Sequence, residues 1–227
     1  MKSKEFLKNH KRKIIVGAPI IFLLLINSTS ALSGGNVFLF GTANGTFAGV
    51  GDAVPVELQI STKTPVNAVG GMVTFSPDIL SVDSVTRSSS IIDLWSEEPL
   101  ISNTLGTIHF SGGIIGTNVG TAGNHGEVFT INFRALKTGK ISLGLKNGEL
   151  LANNGEGTNV LSGSNTLTIY VRPQGLPSPD VNGDGSLSIS DINAVYIKSF
   201  RSYDEKYDIN GDKKVDWGDV KALITLL

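Results

Sequence analysis

Cysteine is absent from all 227 residues, so the chain has no disulfide and no thiol nucleophile, and its stability rests on core burial and bound metal. Aromatic residues make up only 7%, with two Trp and four Tyr, which leaves few rings for a flat sugar-stacking surface. No nucleophile-elbow serine and no phosphate-cradling glycine loop occurs. There is no basic excess either: 19 Lys and Arg stand against 20 Asp and Glu. Residues 1–31 hold six of those bases and one acid, so the remainder carries 13 bases against 19 acids, net −6. No basic patch is left to attract nucleic acid. The one long uncharged apolar run, Ile14 to Ile26, is 13 residues, short of the roughly 20 that a spanning helix needs.

That run is framed by Lys2, Lys4, Lys8, Lys11, Arg12 and Lys13 before it and by Ser28-Thr29-Ser30-Ala31 after it. Basic region, apolar core and small-residue site follow one another as in a secretory signal peptide, with cleavage expected after Ala31 and Ser33 as second choice. The competing outcome is an uncleaved membrane anchor, since the uncharged stretch continues through Asn27 to Ser33. The short core and Pro19 favour cleavage. In both cases the rest of the chain is secreted or held at the cell surface.

What the sequence does have is glycine, 27 of them, punctuating short alternating segments. Val54-Val56-Leu58-Ile60, Phe129-Ile131-Phe133, Ile141-Leu143-Leu145 and Leu167-Ile169-Val171 each place apolar residues at every second position, bounded by Gly, Asn, Ser or Pro. Further strands are expected near 37–40, 66–75, 80–85, 107–111 and 159–161. About nine strands over some 135 residues predict an antiparallel β-sandwich spanning 32–171, large enough for its own core.

The C-terminal segment repeats. Asp180, Asn182, Asp184, Gly185, Ser186, Ser188 and Asp191 occupy positions 1, 3, 5, 6, 7, 9 and 12 of a loop with EF-hand calcium spacing. Asp208, Asn210, Asp212, Lys214, Asp216 and Asp219 occupy positions 1, 3, 5, 7, 9 and 12 of a second loop, 28 residues on. A hard dication prefers oxygen donors: carboxylates, an Asn carbonyl and the position-7 backbone carbonyl of Ser186 or Lys214. Both loops carry the short Asp at position 12 where an EF-hand has Glu. The second has Lys213 at position 6, which resists positive φ and brings a cation near the ion. Two Ca2+ ions are therefore expected, the second held more weakly. After each loop, Ile192-Val195-Tyr196-Phe200 and Val220-Leu223-Ile224-Leu227 form helical stripes that must pack on one another.

Residues 180–227 resemble a dockerin module, the small calcium-dependent domain of two loop-helix units that binds cohesins. The resemblance implies an all-α domain whose positions 10 and 11 contact the partner, here Ile189-Ser190 and Trp217-Gly218. The Ser-Thr pair frequent in cellulosomal dockerins is missing, and Ile189 and Trp217 suggest a more hydrophobic docking face. Trp217 serves equally well as a residue of the module's own core.

Residues 36–171 in turn resemble a cohesin domain, carried by Gly51-Asp52-Ala53-Val54-Pro55-Val56-Glu57-Leu58, by Val69-Gly70-Gly71-Met72-Val73-Thr74-Phe75-Ser76-Pro77-Asp78-Ile79-Leu80 and by Leu150-Leu151-Ala152-Asn153-Asn154-Gly155-Glu156-Gly157-Thr158. That resemblance implies a jelly-roll sandwich that receives dockerins. The same architecture occurs among carbohydrate-binding sandwiches. Between the two segments, residues 172–179 contain three prolines and predict an extended linker of about 25 Å at ~3.1 Å per residue.

Catalytic signals are weak. Glu97-Glu98, placed in a strand, points to opposite faces and reads as solvated charge rather than a glycosidase pair. His109 lies between Ile108 and Phe110 and faces away from them, while His125 sits in a turn-like Gly-Asn-His-Gly. The loop from Asn153 to Thr158 reads as a turn rather than an ion site. Trp95 is the sandwich's only tryptophan, a core ring or a lone sugar contact. The expectation is a non-enzymatic adaptor whose partners are dockerin- and cohesin-bearing proteins. The alternative is a carbohydrate-binding accessory of polysaccharide breakdown tethered by its dockerin, and a membrane is involved only if the N-terminus stays uncleaved.

Overall fold

Alternation becomes pleat most clearly in β3 (Ala53–Thr62), where Val54, Val56, Leu58 and Ile60 are buried and the residues between them are not. The computed structural model describes residues 35–43, 45–115 and 124–227, with Asn124 and His125 as backbone only. The expected signal segment and its cleavage site lie outside the described residues. None of the described helices is long and apolar enough to cross a membrane.

Around β3 stand β1 (Val37–Gly41), β2 (Phe47–Gly49), β4 (Val66–Thr74), β5 (Leu80–Thr86), β6 (Leu94–Ser102) and β7 (Thr107–Gly113). They are followed by β8 (Asn124–Ala135), β9 (Gly139–Ala152), β10 (Gly163–Ser164) and β11 (Leu167–Arg172). One sheet runs β10-β1-β3-β8-β5, the other β2-β11-β9-β4-β7-β6. The chain is mainly β, as expected, but with eleven described strands rather than about nine. It is not wholly antiparallel, because β10 joins β1 and β2 joins β11 in parallel at the sheet edges.

Two of the strands that escaped the sequence pattern, β2 and β10, are too short to alternate. The third, β6, is an edge strand with no fully buried residue, with register shifts on either side of Glu97. Such irregularity and charge are usual on edges, where they discourage pairing with other chains. The expected strand at 159–161 reduces to one bridge, Asn159 to Leu151. His125 belongs to β8, paired with Ser61, and not to a turn.

Aromatic rings knit the two sheets. Phe110 meets Phe129 edge-on with centroids 5.0 Å apart and Phe38 at 6.2 Å, and Phe75 meets Phe133 at 5.2 Å. A register shift opposite Leu58 and Gln59 leaves Val128 without a partner on β3, so Val128 and Phe129 are both buried. This is a β-bulge used to fill the core. Pro55 is tolerated in β3 because β1 pairs only as far as Glu57, so no neighbour on that side asks for its missing N–H.

Beyond Arg172 the chain turns at Gly175, whose φ of 84° suits the left-handed region, rather than running straight as its prolines suggested. It then forms α1 (Ile189–Lys198), one 3-10 turn at Glu205–Tyr207 and α2 (Trp217–Ile224). Val181, Ile192, Val195, Ile209, Val220 and Leu223 make a second, separate apolar cluster. Six buried side chains are a small core for residues 180–227, and segments of this size generally need a staple such as a metal.

Candidate metal loops and the exposed aromatic face

Each loop is tied together by its own acidic residues. Asp180 Oδ1 accepts hydrogen bonds from the N–H groups of Gly183 (2.7 Å) and Asp184 (3.1 Å), and its Oδ2 accepts from Gly185 (2.8 Å). Asn182 Oδ1 takes the Asp184 N–H at 2.8 Å, and Asp184 Oδ1 takes the Ser186 N–H at 3.0 Å. These are successive Asx turns, which curl the backbone around the side chains. The Asn182 amide, then the Ser186 N–H and hydroxyl, hold the Asp184 carboxyl below its ordinary pKa.

The second loop repeats this network at the same offset of 28. Asp208 Oδ1 accepts from Gly211 (2.8 Å) and Asp212 (3.1 Å), and Oδ2 from Lys213 (2.8 Å). Asn210 and Asp212 make the same two turns. Position 6 is left-handed in both loops, with φ of 89° at Gly185 and 66° at Lys213. For a side-chain-bearing residue that conformation costs about 1–2 kcal/mol, the strain that the sequence anticipated at Lys213.

Position 9 starts the helix in each unit. Ser188 caps α1 by accepting from the Ser190 N–H, and Asp216 caps α2 by accepting from the Gly218 N–H. Position 12 closes the capping box and reaches back across the loop. Asp191 Oδ2 accepts from the Ser188 N–H at 2.9 Å while Oδ1 accepts from the Asn182 N–H at 3.1 Å; Asp219 does the same toward Asp216 and Asn210. Asp191 and Asp219 are fully buried. A buried carboxylate is costly unless its oxygens are satisfied, and these are.

The donor set fits a hard cation. Asp180, Asn182, Asp184 and Asp191 belong to one loop and Asp208, Asn210, Asp212, Asp216 and Asp219 to the other, with the position-7 carbonyls of Ser186 and Lys214 alongside. Among the described residues no three His, Cys, Asp or Glu side chains stand gathered as a closed metal cage. The loop carboxylates are engaged by N–H groups instead, yet a carboxylate offers about four lone-pair positions and keeps acceptor capacity.

The helices leave an apolar surface uncovered. Val195, Val220 and Leu223 are buried and Ile192 nearly so, but the other half of each expected stripe is not: Tyr196, Phe200, Ile224 and Leu227 are exposed, Phe200 by 73%. Two short helices cover only the sides that face each other. Trp217 is 50% exposed and lies outside the module core, so it is not the core residue that one of its two sequence readings made it. Its ring centroid stands 6.3 Å from Tyr196, which meets Phe200 edge-on at 5.1 Å. Tyr196 and Phe200 were missed as surface residues because their helical spacing matches that of buried ones. Ile189 and Ser190 are exposed at the start of α1. Gly218 faces its own loop: a Cβ there would come within 2.9 Å of Asn210 Nδ2.

In the sandwich, Trp95 is half-buried against the core, tilted on Phe129 at 6.4 Å. The Arg87 guanidinium lies over its ring at 5.4 Å and also pairs with Glu98 at 2.9 Å. Glu97 and Glu98 are exposed, as is His109 between buried Ile108 and Phe110.

No protein-family model and no curated protein sequence matches the chain. Among solved structures it is similar to a non-cellulosomal cohesin from the archaeon Archaeoglobus fulgidus, with 17% identity, 63% of this chain and 94% of that one covered, and a TM-score of 0.48. It is similar to a cohesin module of a family 33 glycoside hydrolase from Clostridium perfringens, with 14% identity, 61% and 99% covered, and a TM-score of 0.48. A chain of a type I cohesin–dockerin complex from Clostridium thermocellum is similar at 13% identity, with 60% and 93% covered and a TM-score of 0.48.

Proposed function

We propose that the protein is an exported, non-catalytic adaptor. Its sandwich receives a dockerin-bearing protein, and its C-terminal module, ordered by two Ca2+ ions, docks onto a cohesin-bearing one. The observation that carries this reading is the loop network repeated at an offset of 28 residues, with Tyr196, Phe200 and Trp217 exposed beside it. The receptor role of the sandwich rests on the sequence resemblance at 51–58, 69–80 and 150–158, and export on the basic, apolar and small-residue order of 2–31.

The mechanism is recognition. Asp180, Asp184 and Asp191, and Asp208, Asp212 and Asp219, would hold one Ca2+ each, whose charge would offset the repulsion among those carboxylates in a segment whose apolar core is small. Closing each loop fixes the first turn of the following helix, because Asp191 and Asp219 belong to loop and capping box at once. The helices then present Trp217, Tyr196 and Phe200 at low ordering cost, the kind of aromatic anchor that dominates interface energies. Trp95 is a lone ring already in contact with Arg87 and Phe129, which does not favour a sugar-stacking platform.

Calorimetric calcium titration of the chain tests the reading, with Asp180→Ala and Asp208→Ala each expected to remove one of two binding events. Pull-downs against a panel of dockerins and cohesins, with calcium or chelator, follow. Binding of neither class in calcium, or retention on insoluble polysaccharide instead, would overturn the adaptor function.

A further inference from the structure

The backbone N–H bonds of the first loop recur one for one in the second, and only the hydroxyl bonds of Ser186 and Ser188 have no counterpart there; the larger difference is where the second loop meets the rest of the chain. Arg172 is the last residue of β11, and its backbone is held in the sheet by pairing with Gly49 and by the Val50 N–H at 2.9 Å. From that fixed base its guanidinium donates through Nη1 to the Pro177 carbonyl at 2.7 Å and through Nη2 to the Ile209 carbonyl at 2.6 Å. Ile209 sits between Asp208 and Asn210, positions 1 and 3 of the second loop, and its side chain is fully buried in the module core. The same loop is touched again by Leu176: a Cβ on Gly211 would lie 2.6 Å from Leu176 Cδ2. Asp208 is only 4% exposed, and its Oδ2 also accepts the Tyr203 hydroxyl at 3.1 Å.

The first loop has none of this. Its residue equivalent to Ile209 is Val181, whose carbonyl receives no side-chain donor among the described residues. The position equivalent to Tyr203 is Gly175, which carries no side chain. Arg172 and Leu176 thus tie the second loop, and not the first, to the chain leaving β11.

We propose that Arg172 couples the two halves of the protein: it holds the Asp208–Asn210 segment in the conformation that takes the second ion, and calcium in that loop in turn holds the C-terminal module against the sandwich. The inference rests on the calcium reading of the loops. Guanidinium suits the task because its planar fork holds two separate donor nitrogens, Nη1 and Nη2, at a fixed spacing toward two carbonyls, where an ammonium offers one nitrogen on a flexible stem. Burial lowers the Arg172 pKa, the mark of a partly desolvated cation, and such a donor binds carbonyls more strongly than an exposed one. Coupling of this kind is reciprocal: whatever factor Arg172 adds to second-loop affinity, calcium returns to docking of the module. The second loop, strained at Lys213, is thus supported from outside, and a flexible pair of binding heads becomes a fixed one when calcium is present.

The test uses the whole chain, with calcium as the titrant. In an Asp180→Ala background only the second loop binds, and adding Arg172→Met is expected to weaken that event about fivefold or more. In an Asp208→Ala background only the first loop binds, and Arg172→Met is expected to leave it unchanged. Leu176→Ala is a second, milder variant that should act in the same direction on the second loop alone. Small-angle scattering gives an independent readout: calcium compacts the parent chain, and Arg172→Met stays extended at the same calcium concentration. Equal weakening of both loops, or no change at the second, overturns the coupling while leaving two calcium sites intact. Absence of calcium binding in the parent chain overturns the calcium reading and the coupling with it.

Discussion

Trp217 and Tyr196 meet edge to face on the outside of the C-terminal module, ring centroids 6.3 Å apart, each about half exposed. The two residues come from different repeats, so the surface exists only when both loop-helix units are folded together. Trp217→Ala should therefore cost binding far more than stability. The loss expected for a central aromatic anchor is about 2 kcal/mol, or roughly thirtyfold in Kd. Thermal unfolding should shift little, since the side chain lies outside the buried cluster. Isothermal titration against the captured partner, beside a melting curve, checks both halves.

Lys213 is one of two described non-glycine residues at positive φ. Lys213→Gly relieves about 1–2 kcal/mol of backbone strain, loses part of that to the unfolded chain's freedom, and removes a cation from the loop. Calcium affinity of the second loop should rise several-fold, with the first unchanged. The mirror substitution, Gly185→Lys, should weaken the first loop alone. Calorimetry on the two variants reads both effects.

Leu223 is fully buried in a cluster of only six buried side chains. Leu223→Ala should cost about 2–5 kcal/mol, comparable with the whole stability of so small a core. The expected outcome is loss of the helical signal at low calcium with its recovery at high calcium, while the sandwich melts as before. Circular dichroism at two calcium concentrations distinguishes this from general unfolding.

Lys198 Nζ lies 3.0 Å from Asp204 Oδ2 across the connection between the repeats. The hydrogen bond from Lys198, and after it the Lys206 N–H, hold the Asp204 carboxyl below its ordinary pKa. A depressed folded pKa means that this stabilisation is present above the unfolded value near 3.9 and disappears as pH falls through the folded one. The pair is partly exposed and screened by solvent, so the effect on global stability is small. Carbon-detected NMR titration should place the Asp204 midpoint below 3.9 and return it upward in Lys198→Met.

Much of this was legible beforehand because it is local. Alternation in 54–60 or 129–133 is a property of consecutive residues, and the burial of those strands followed it. Positions 1, 3 and 5 of each loop bond to N–H groups two to five residues away, so spacing alone specified the turns, and Gly185 and Lys213 took the positive φ that the pattern demands. Of the four edge strands only β5 was legible, expected near 80–85; the other three were not. β6 has no fully buried residue and so carries no clear alternation, and β2 and β10 are too short to show any. His125 resembled a turn residue because its neighbours are Gly, Asn and Gly, yet the long pairing of β8 with β3 extended over it.

The sequence by itself determined the two Asx-turn loops, the helix starts and the mainly β character of the described residues between 35 and 172, since each depends on side chains reaching their own near neighbours. Only the tertiary structure decided which half of each helical stripe faces solvent, that Trp217 meets Tyr196 rather than the core, and that Arg172 reaches across to Ile209. Those relationships join residues 21 and 37 positions apart. They are fixed by how sheets and helices come to rest against one another, which no short-range pattern encodes.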